Sequence, residues 1–147
     1  MTKIYKSASV EETERIAQEL ASELKENSVV AYFGGLGMGK TAFTRGLAKG
    51  LFIDDHVSSP TFALVNEYGD KKKLYHFDMY RISGYEDLYS TGYYDYLDSG
   101  AVLAIEWSEN IEDELPEDAV RIYFERGESE NERIITVKDG INEYIGD

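Results

Sequence analysis

The sequence predicts an α/β protein built on a mixed β-sheet, and three features carry that expectation. An unbroken apolar run, Val29 to Phe33, stops at Gly34-Gly35. A helical period then resumes from Thr41 to Leu51 through Ala42, Phe43, Leu47 and Ala48. Further along, β-rich runs alternate with turn-forming residues. Five apolar residues rich in β-branched and aromatic side chains suit a strand buried on both faces, so the local order is strand, glycine loop, helix.

In chain order, Ile4 and Tyr5 lie on a short first strand. Ser9 and Glu12 have the spacing of a capping box, which starts a helix. Its apolar face is Val10, Ile16, Ala17, Leu20, Ala21 and Leu24, which carries it to about Glu26. Beyond the second helix, Phe62 to Tyr68 and Leu74 to Tyr80 form a hairpin around Gly69-Asp70-Lys71-Lys72-Lys73, whose lysines belong to an exposed turn. A short helix is expected at Glu86 to Tyr89, an apolar strand at Val102 to Trp107, and a closing hairpin from Val120 to Glu125 and Ile134 to Lys138. The run from Glu109 to Asp118, six carboxylates in ten positions around Pro116, reads as a solvated connection.

With 147 residues, one domain over 1–147 is expected. The chain is 42% hydrophobic and 30% charged, which fits a folded domain rather than a disordered one. Charge is the unusual property: 15 Lys+Arg against 29 Asp+Glu give a net −14. Broad binding to a nucleic-acid backbone, which needs clustered Lys and Arg, is disfavoured. The absence of cysteine excludes disulfides, thiolate metal sites and cysteine nucleophiles, and makes a reducing cytoplasm the expected compartment. No apolar targeting core opens the sequence and no run approaches the ~18–20 apolar residues of a bilayer span, so neither secretion nor membrane insertion is expected.

The glycine loop carries the chemistry. Gly34-Gly35-Leu36-Gly37-Met38-Gly39-Lys40-Thr41 matches G-x-x-x-x-G-K-[ST] in the strand-loop-helix setting that phosphate-binding motif requires. Gly37 and Gly39 let backbone N–H groups approach phosphate oxygens with no Cβ in the way, and the helix starting near Lys40 turns the positive end of its dipole to the same place. Lys40 is placed to reach the β- and γ-phosphates, and the Thr41 hydroxyl to ligate Mg2+. ATP and Mg2+ are therefore the expected cofactors; the guanine-reading N-K-x-D tetrapeptide is absent, which favours ATP over GTP modestly.

Such a loop needs a second carboxylate for the metal. Glu106 ends the apolar run Val102-Leu103-Ala104-Ile105, with Glu in place of the commoner Asp. Asp78, in His76-Phe77-Asp78-Met79-Tyr80-Arg81, is the other candidate: polar groups inside an apolar strand need partners or face a site. His76 alone suits a hydrogen-bonded strand residue better than a catalyst. Ser58-Ser59-Pro60-Thr61 either presents a hydroxyl to phosphate or makes an ordinary turn.

Taken together, the loop through Gly46, Val57-Ser58-Ser59-Pro60-Thr61-Phe62, His76 to Arg81 and Ile105-Glu106-Trp107 resemble the TsaE (YjeE) family of P-loop ATPases of bacterial tRNA threonylcarbamoyladenosine biosynthesis. The resemblance implies a three-layer P-loop NTPase-type fold with a mixed sheet. It also implies an ATPase that works with TsaB and TsaD, the second of which transfers threonylcarbamoyl to an adenosine beside the tRNA anticodon. ATP hydrolysis would reset that complex between rounds, and tRNA would be met only through the partners. On matching positions, Leu36, Gly37, Met38, Gly39, Lys40 and Thr41 would hold the phosphates, and Thr41 and Glu106 the Mg2+. Asp78, with Lys40 and Glu106, would serve hydrolysis, and Ser59, Thr61 and Trp107 would line the site. Ser9 and Arg133 would touch the nucleoside. Met38 and Ala42 depart from the commonest family residues, but neither position contributes an essential side chain to a backbone cradle.

Two other functions share the loop. A small-molecule kinase would need an arginine-bearing lid, and the six arginines are unclustered. A nucleotide-sensing module would bind ATP without turnover.

Overall fold

Alternation along the central strands sorts the apolar side chains into two cores. The computed structural model describes residues 2–35, 39–58 and 65–139. Within them β1 (Thr2–Ser7), β2 (Val29–Phe33), β3 (Val65–Tyr68), β4 (Leu74–Asp78), β5 (Val102–Glu106), β6 (Val120–Arg126) and β7 (Arg133–Asp139) form one sheet in the order β1-β7-β6-β2-β5-β4-β3. Its centre, β6-β2-β5-β4, is parallel; β3, β7 and β1 are antiparallel flanks. Val30, Tyr32, Leu74, Ala104 and Ile122 face one side, beneath α1 (Val10–Ala21) and α2 (Lys40–Gly50). Val29, Ala31, Phe33, Phe77 and Ile105 face the other, beneath α3 (Tyr85–Ser90), α4 (Tyr93–Tyr96) and a 3-10 segment, Ser108–Glu114. The fold is the expected α/β one: a mixed sheet between two helical layers.

Helix α1 starts as its spacing predicts. The Ser9 hydroxyl oxygen accepts from Glu12 N–H at 3.1 Å, and the Glu12 carboxylate reaches back to Ala8 N–H at 3.3 Å. It ends at Ala21 rather than near Glu26. Ser22, Glu23 and Leu24 continue as tight turns, each bonding three residues back, so Leu24 still packs against the core while the α-helix has already stopped.

The two long helices meet through small residues. A Cβ on Gly46 of α2 would lie 2.2 Å from Glu14 O and 2.7 Å from Ala17 Cβ, so the helices pack backbone to backbone there. Gly46→Ala is expected to lower stability by ~2–3 kcal/mol, the scale of overpacking a tight core, read as a lower denaturant midpoint; a wild-type midpoint would refute this packing. The same interface is pinned by Glu14, which accepts from Lys49 Nζ at 2.5 Å and Arg45 Nη1 at 3.3 Å. Burial acts to raise the Glu14 carboxyl, yet these two cations hold it below its ordinary 4.5. A depressed carboxylate contributes its stability in full above the ordinary value and loses it as pH falls through the lowered one. Stability followed from pH 7 downward should therefore show Glu14→Gln less stable by about 1 kcal/mol at neutral pH, with the difference shrinking only as pH falls through the lowered value.

Three other elements differ from expectation for local reasons. Strand β4 stops at Asp78, two residues early, because the Asp78 carboxylate accepts from Tyr80 N–H at 2.9 Å and turns the chain. Trp107 leaves β5 with a left-handed backbone, φ 59°. The acidic stretch after it is not merely solvated: Ile111 and Leu115 are buried in the second core. Residues 62–64 of the expected hairpin lie outside the described residues.

Candidate functional site

The carboxyl ends of β2, β5 and β4 lie side by side, and this is where parallel α/β sheets present their ligands. Phe33 ends β2 and leads through the glycine loop into α2. Gly39 precedes α2 with φ 94°, a left-handed backbone that a side chain would strain, and its carbonyl accepts from Phe43 N–H at 2.9 Å. Lys40 opens the helix and is 6% exposed. Its ammonium donates to Gly34 O at 2.5 Å and stands 5.4 Å from the Trp107 ring centroid. Thr41, in the first turn, is half-buried.

Asp78 and Glu106 are register partners at the ends of β4 and β5, where Met79 N–H donates to Glu106 O at 3.0 Å. Strand alternation sets both on the α2 face, with His76 two residues before Asp78. Glu106 is 8% exposed and His76 wholly buried; His76 Nε2 comes within 2.6 Å of Glu106 Oε2. The approach lacks hydrogen-bond alignment, and among the described residues neither ring nitrogen of His76 nor Glu106 Oε2 has a hydrogen-bond partner. A buried carboxylate oxygen in that condition needs a cation or a donor. Burial, aided by the nearby Glu106 charge and opposed by a hydrogen bond to Thr44, pushes the Tyr32 hydroxyl far above its ordinary value; it lies 2.7 Å from Thr44 Oγ1. Thr44 in turn donates to Lys40 O, which fixes the first turn of α2 against the sheet.

These residues fit a magnesium nucleotide. Among the described residues no cluster of three His, Cys, Asp or Glu forms a protein-only metal cage. A hydroxyl from Thr41 and a carboxylate from Glu106 are hard oxygen donors, the sparse set on which Mg2+ keeps waters and phosphate oxygens as its other ligands. Lys40 supplies a buried cation whose sole hydrogen bond among the described residues is to a backbone carbonyl, which a phosphate oxygen can replace.

Of the other residues singled out from sequence, Trp107 packs its ring 4.9 Å from Tyr80 while facing Lys40, so it bridges the loop lysine and the Asp78 turn. Ser9 and Arg133 share a cleft of about 360 Å³ with Thr13, Gly39, Ala42 and Asn131 at the N-terminal ends of α1 and α2. Arg133 is steadied there by Glu130 O at 2.6 Å and Glu132 O at 3.0 Å. Leu36, Gly37, Met38, Ser59 and Thr61 lie outside the described residues. Sequence reasoning missed Glu109 and Asn110. Glu109 accepts from Gly34 N–H at 3.4 Å, and Asn110 Nδ2 donates to Met79 O and Tyr80 O at 2.9 and 3.2 Å, so the 3-10 segment braces both the glycine loop and the Asp78 turn. Their position two and three residues after Trp107 is the available signal, hidden by the acidic run around them. No helix among the described residues is long and apolar enough to cross a membrane.

Comparison with known proteins gives the family. The family described as Threonylcarbamoyl adenosine biosynthesis protein TsaE matches residues 7–135. The chain is 39% identical over 142 residues to the tRNA threonylcarbamoyladenosine biosynthesis protein TsaE of Bacillus subtilis, covering 95% of this chain and 87% of that one. It is 40% identical over 116 residues to the protein of the same name from Treponema pallidum, covering 79% and 86%. The crystal structure of Bacillus subtilis YdiB superposes with a TM-score of 0.80 at 33% identity, over 99% of this chain and 90% of that one. With the glycine loop, the Asp78 turn and the Glu106-Trp107 strand end all within the matched span, the chain belongs to the TsaE family of tRNA threonylcarbamoyladenosine biosynthesis.

Proposed function

We propose that this chain binds Mg·ATP and hydrolyses it in the service of a complex with TsaB and TsaD, resetting that complex between rounds of tRNA modification. The observation that supports the reading best is the placement of a buried lysine at the start of α2, after β2, and of two register-paired carboxylates at the ends of β4 and β5, on the same edge of the sheet. Residues 36 to 41 would cradle the phosphates. Lys40 would exchange its bond to Gly34 O for β- and γ-phosphate oxygens. Thr41 and Glu106 would hold Mg2+, which when bound draws charge from the phosphates. The Asp78 oxygen not engaged by Tyr80 N–H would align the attacking water. Ser9 and Arg133 would meet the nucleoside. With a net charge of −14, tRNA contact would fall to the partners, and the compartment would be the cytoplasm.

The test is ATP turnover and tRNA modification measured with and without TsaB and TsaD. Alone, the chain should turn over slowly, on the order of 0.001 per second or less, if a partner supplies the arginine that completes the site. Turnover on the order of 10 per second without partners would overturn partner dependence. Calorimetry showing no affinity for Mg·ATP, alone or in the assembly, would overturn the whole reading.

A further inference from the structure

Tyrosine is concentrated where the mechanism above makes no use of it. Tyr85, Tyr89 and Tyr94, on α3 and α4, set their rings in a triangle with centroids 5.9, 6.1 and 6.4 Å apart. Tyr85 is 62% and Tyr89 65% exposed, so two large apolar faces stand in water. The Tyr94 hydroxyl donates to the Glu114 carboxylate, which joins the triangle to the 3-10 segment. Beside it lies a depression of about 340 Å³, floored by Ile82, Leu88 and Ile111. Its rim is acidic: Glu112 and Asp113 are exposed there, next to Glu109 and Glu114, and no Lys or Arg lines it.

We propose that this face docks a partner protein through a basic segment. An arginine or lysine stem would lie on the apolar floor and its charge among the rim carboxylates, with the tyrosine rings packing around it. Charge decides the occupant. Nucleic acid and anionic lipid are repelled by the rim, and a second copy would bring the same carboxylates on a chain of net charge −14. Exposed tyrosines are the residue type that anchors protein interfaces, and an acidic rim steers a basic surface to them. The face is also wired to the site: Glu109 and Asn110, in the segment that forms the rim, bond Gly34 and the Met79-Tyr80 carbonyls. This assignment rests on the partner-dependent function proposed above and adds the surface and the chemistry of the partner.

The test uses the full chain and the assembled TsaB–TsaD pair as the probe. Affinity is measured for wild type, Tyr85→Ala/Tyr89→Ala and Glu112→Lys/Asp113→Lys, with Mg·ATP affinity recorded for each. The tyrosine pair should weaken partner binding by about 30-fold or more. The charge reversal should slow association by about 10-fold and flatten its salt dependence, while both variants keep wild-type Mg·ATP affinity. Wild-type partner affinity in both variants overturns the docking face alone and leaves the partner reading standing. Parallel loss of Mg·ATP affinity assigns the effect to the fold and also overturns it. A wild-type chain that binds Mg·ATP but ignores TsaB–TsaD overturns the partner reading, and the docking face with it.

Discussion

Lys40→Ala should lose about 100-fold or more in Mg·ATP affinity, and with it all nucleotide-dependent activity. Lys40 as a residue is 6% exposed, so its charge acts in a poorly solvated setting where a charged hydrogen bond is worth about 1.5–3 kcal/mol. Two or more such bonds to phosphate oxygens, less the one to Gly34 O that is given up, leave about 3 kcal/mol, which is roughly 100-fold in affinity. Lys40→Arg should not restore it, since a planar fork replaces a compact charge in a buried slot bounded by Gly34 and Trp107. The chain supplies its own reporter: Trp107 is the single tryptophan and its ring lies 5.4 Å from Lys40 Nζ. A Mg·ATP titration followed by Trp107 emission reads the affinity directly, and an undiminished affinity in Lys40→Ala would sink the role given to the loop.

The parts of this site that were legible in the sequence are those whose chemistry is written locally. A strand buried on both faces must be continuously apolar, so Val29 to Phe33 announced β2, and the glycines and Lys40-Thr41 that follow could be read in register with it. Polar residues inside β4 and at the end of β5 stand out against apolar neighbours, so Asp78 and Glu106 are legible as candidates, whereas their register pairing is not. What sequence could not give was set by tertiary contact. The four-residue helix α4 begins at a left-handed Gly92 and has too few residues for a period to show; it exists because Tyr93 is buried against Phe77 in the second core. The apolar period through Leu24 overran α1, since turns bonded three residues back can bury a side chain as a helix does. The acidic run hid Ile111 and Leu115, two apolar residues four apart among carboxylates, and with them the brace formed by Glu109 and Asn110. Ser9 and Arg133 are 124 positions apart, and only the pairing of β1 with β7 brings them to one cleft.

Asp78→Ala and Glu106→Ala should separate chemistry from binding, unlike Lys40→Ala. Neither carboxylate offers a favourable charge to the triphosphate itself, so deleting it removes only the hold of Glu106 on the metal or of Asp78 on water, and both matter most as charge develops on the reacting phosphoryl group. A fall in kcat of about 100-fold to 1,000-fold is expected for each, with Mg·ATP affinity changed by less than about 10-fold. The two should still differ. Glu106 carries the buried oxygen with no hydrogen-bond partner among the described residues, so its loss should shift the Mg2+ concentration needed for half-maximal activity upward. Asp78 already spends one oxygen on Tyr80 N–H, so its loss should also loosen the turn beneath Trp107, visible as altered Trp107 emission without nucleotide. Metal dependence and emission measured side by side on the two variants decide the assignment. Equal loss of Mg·ATP affinity in Asp78→Ala, Glu106→Ala and Lys40→Ala would mean that all three residues only hold the ligand, and that the division between a phosphate-gripping lysine and two reaction-serving carboxylates is wrong.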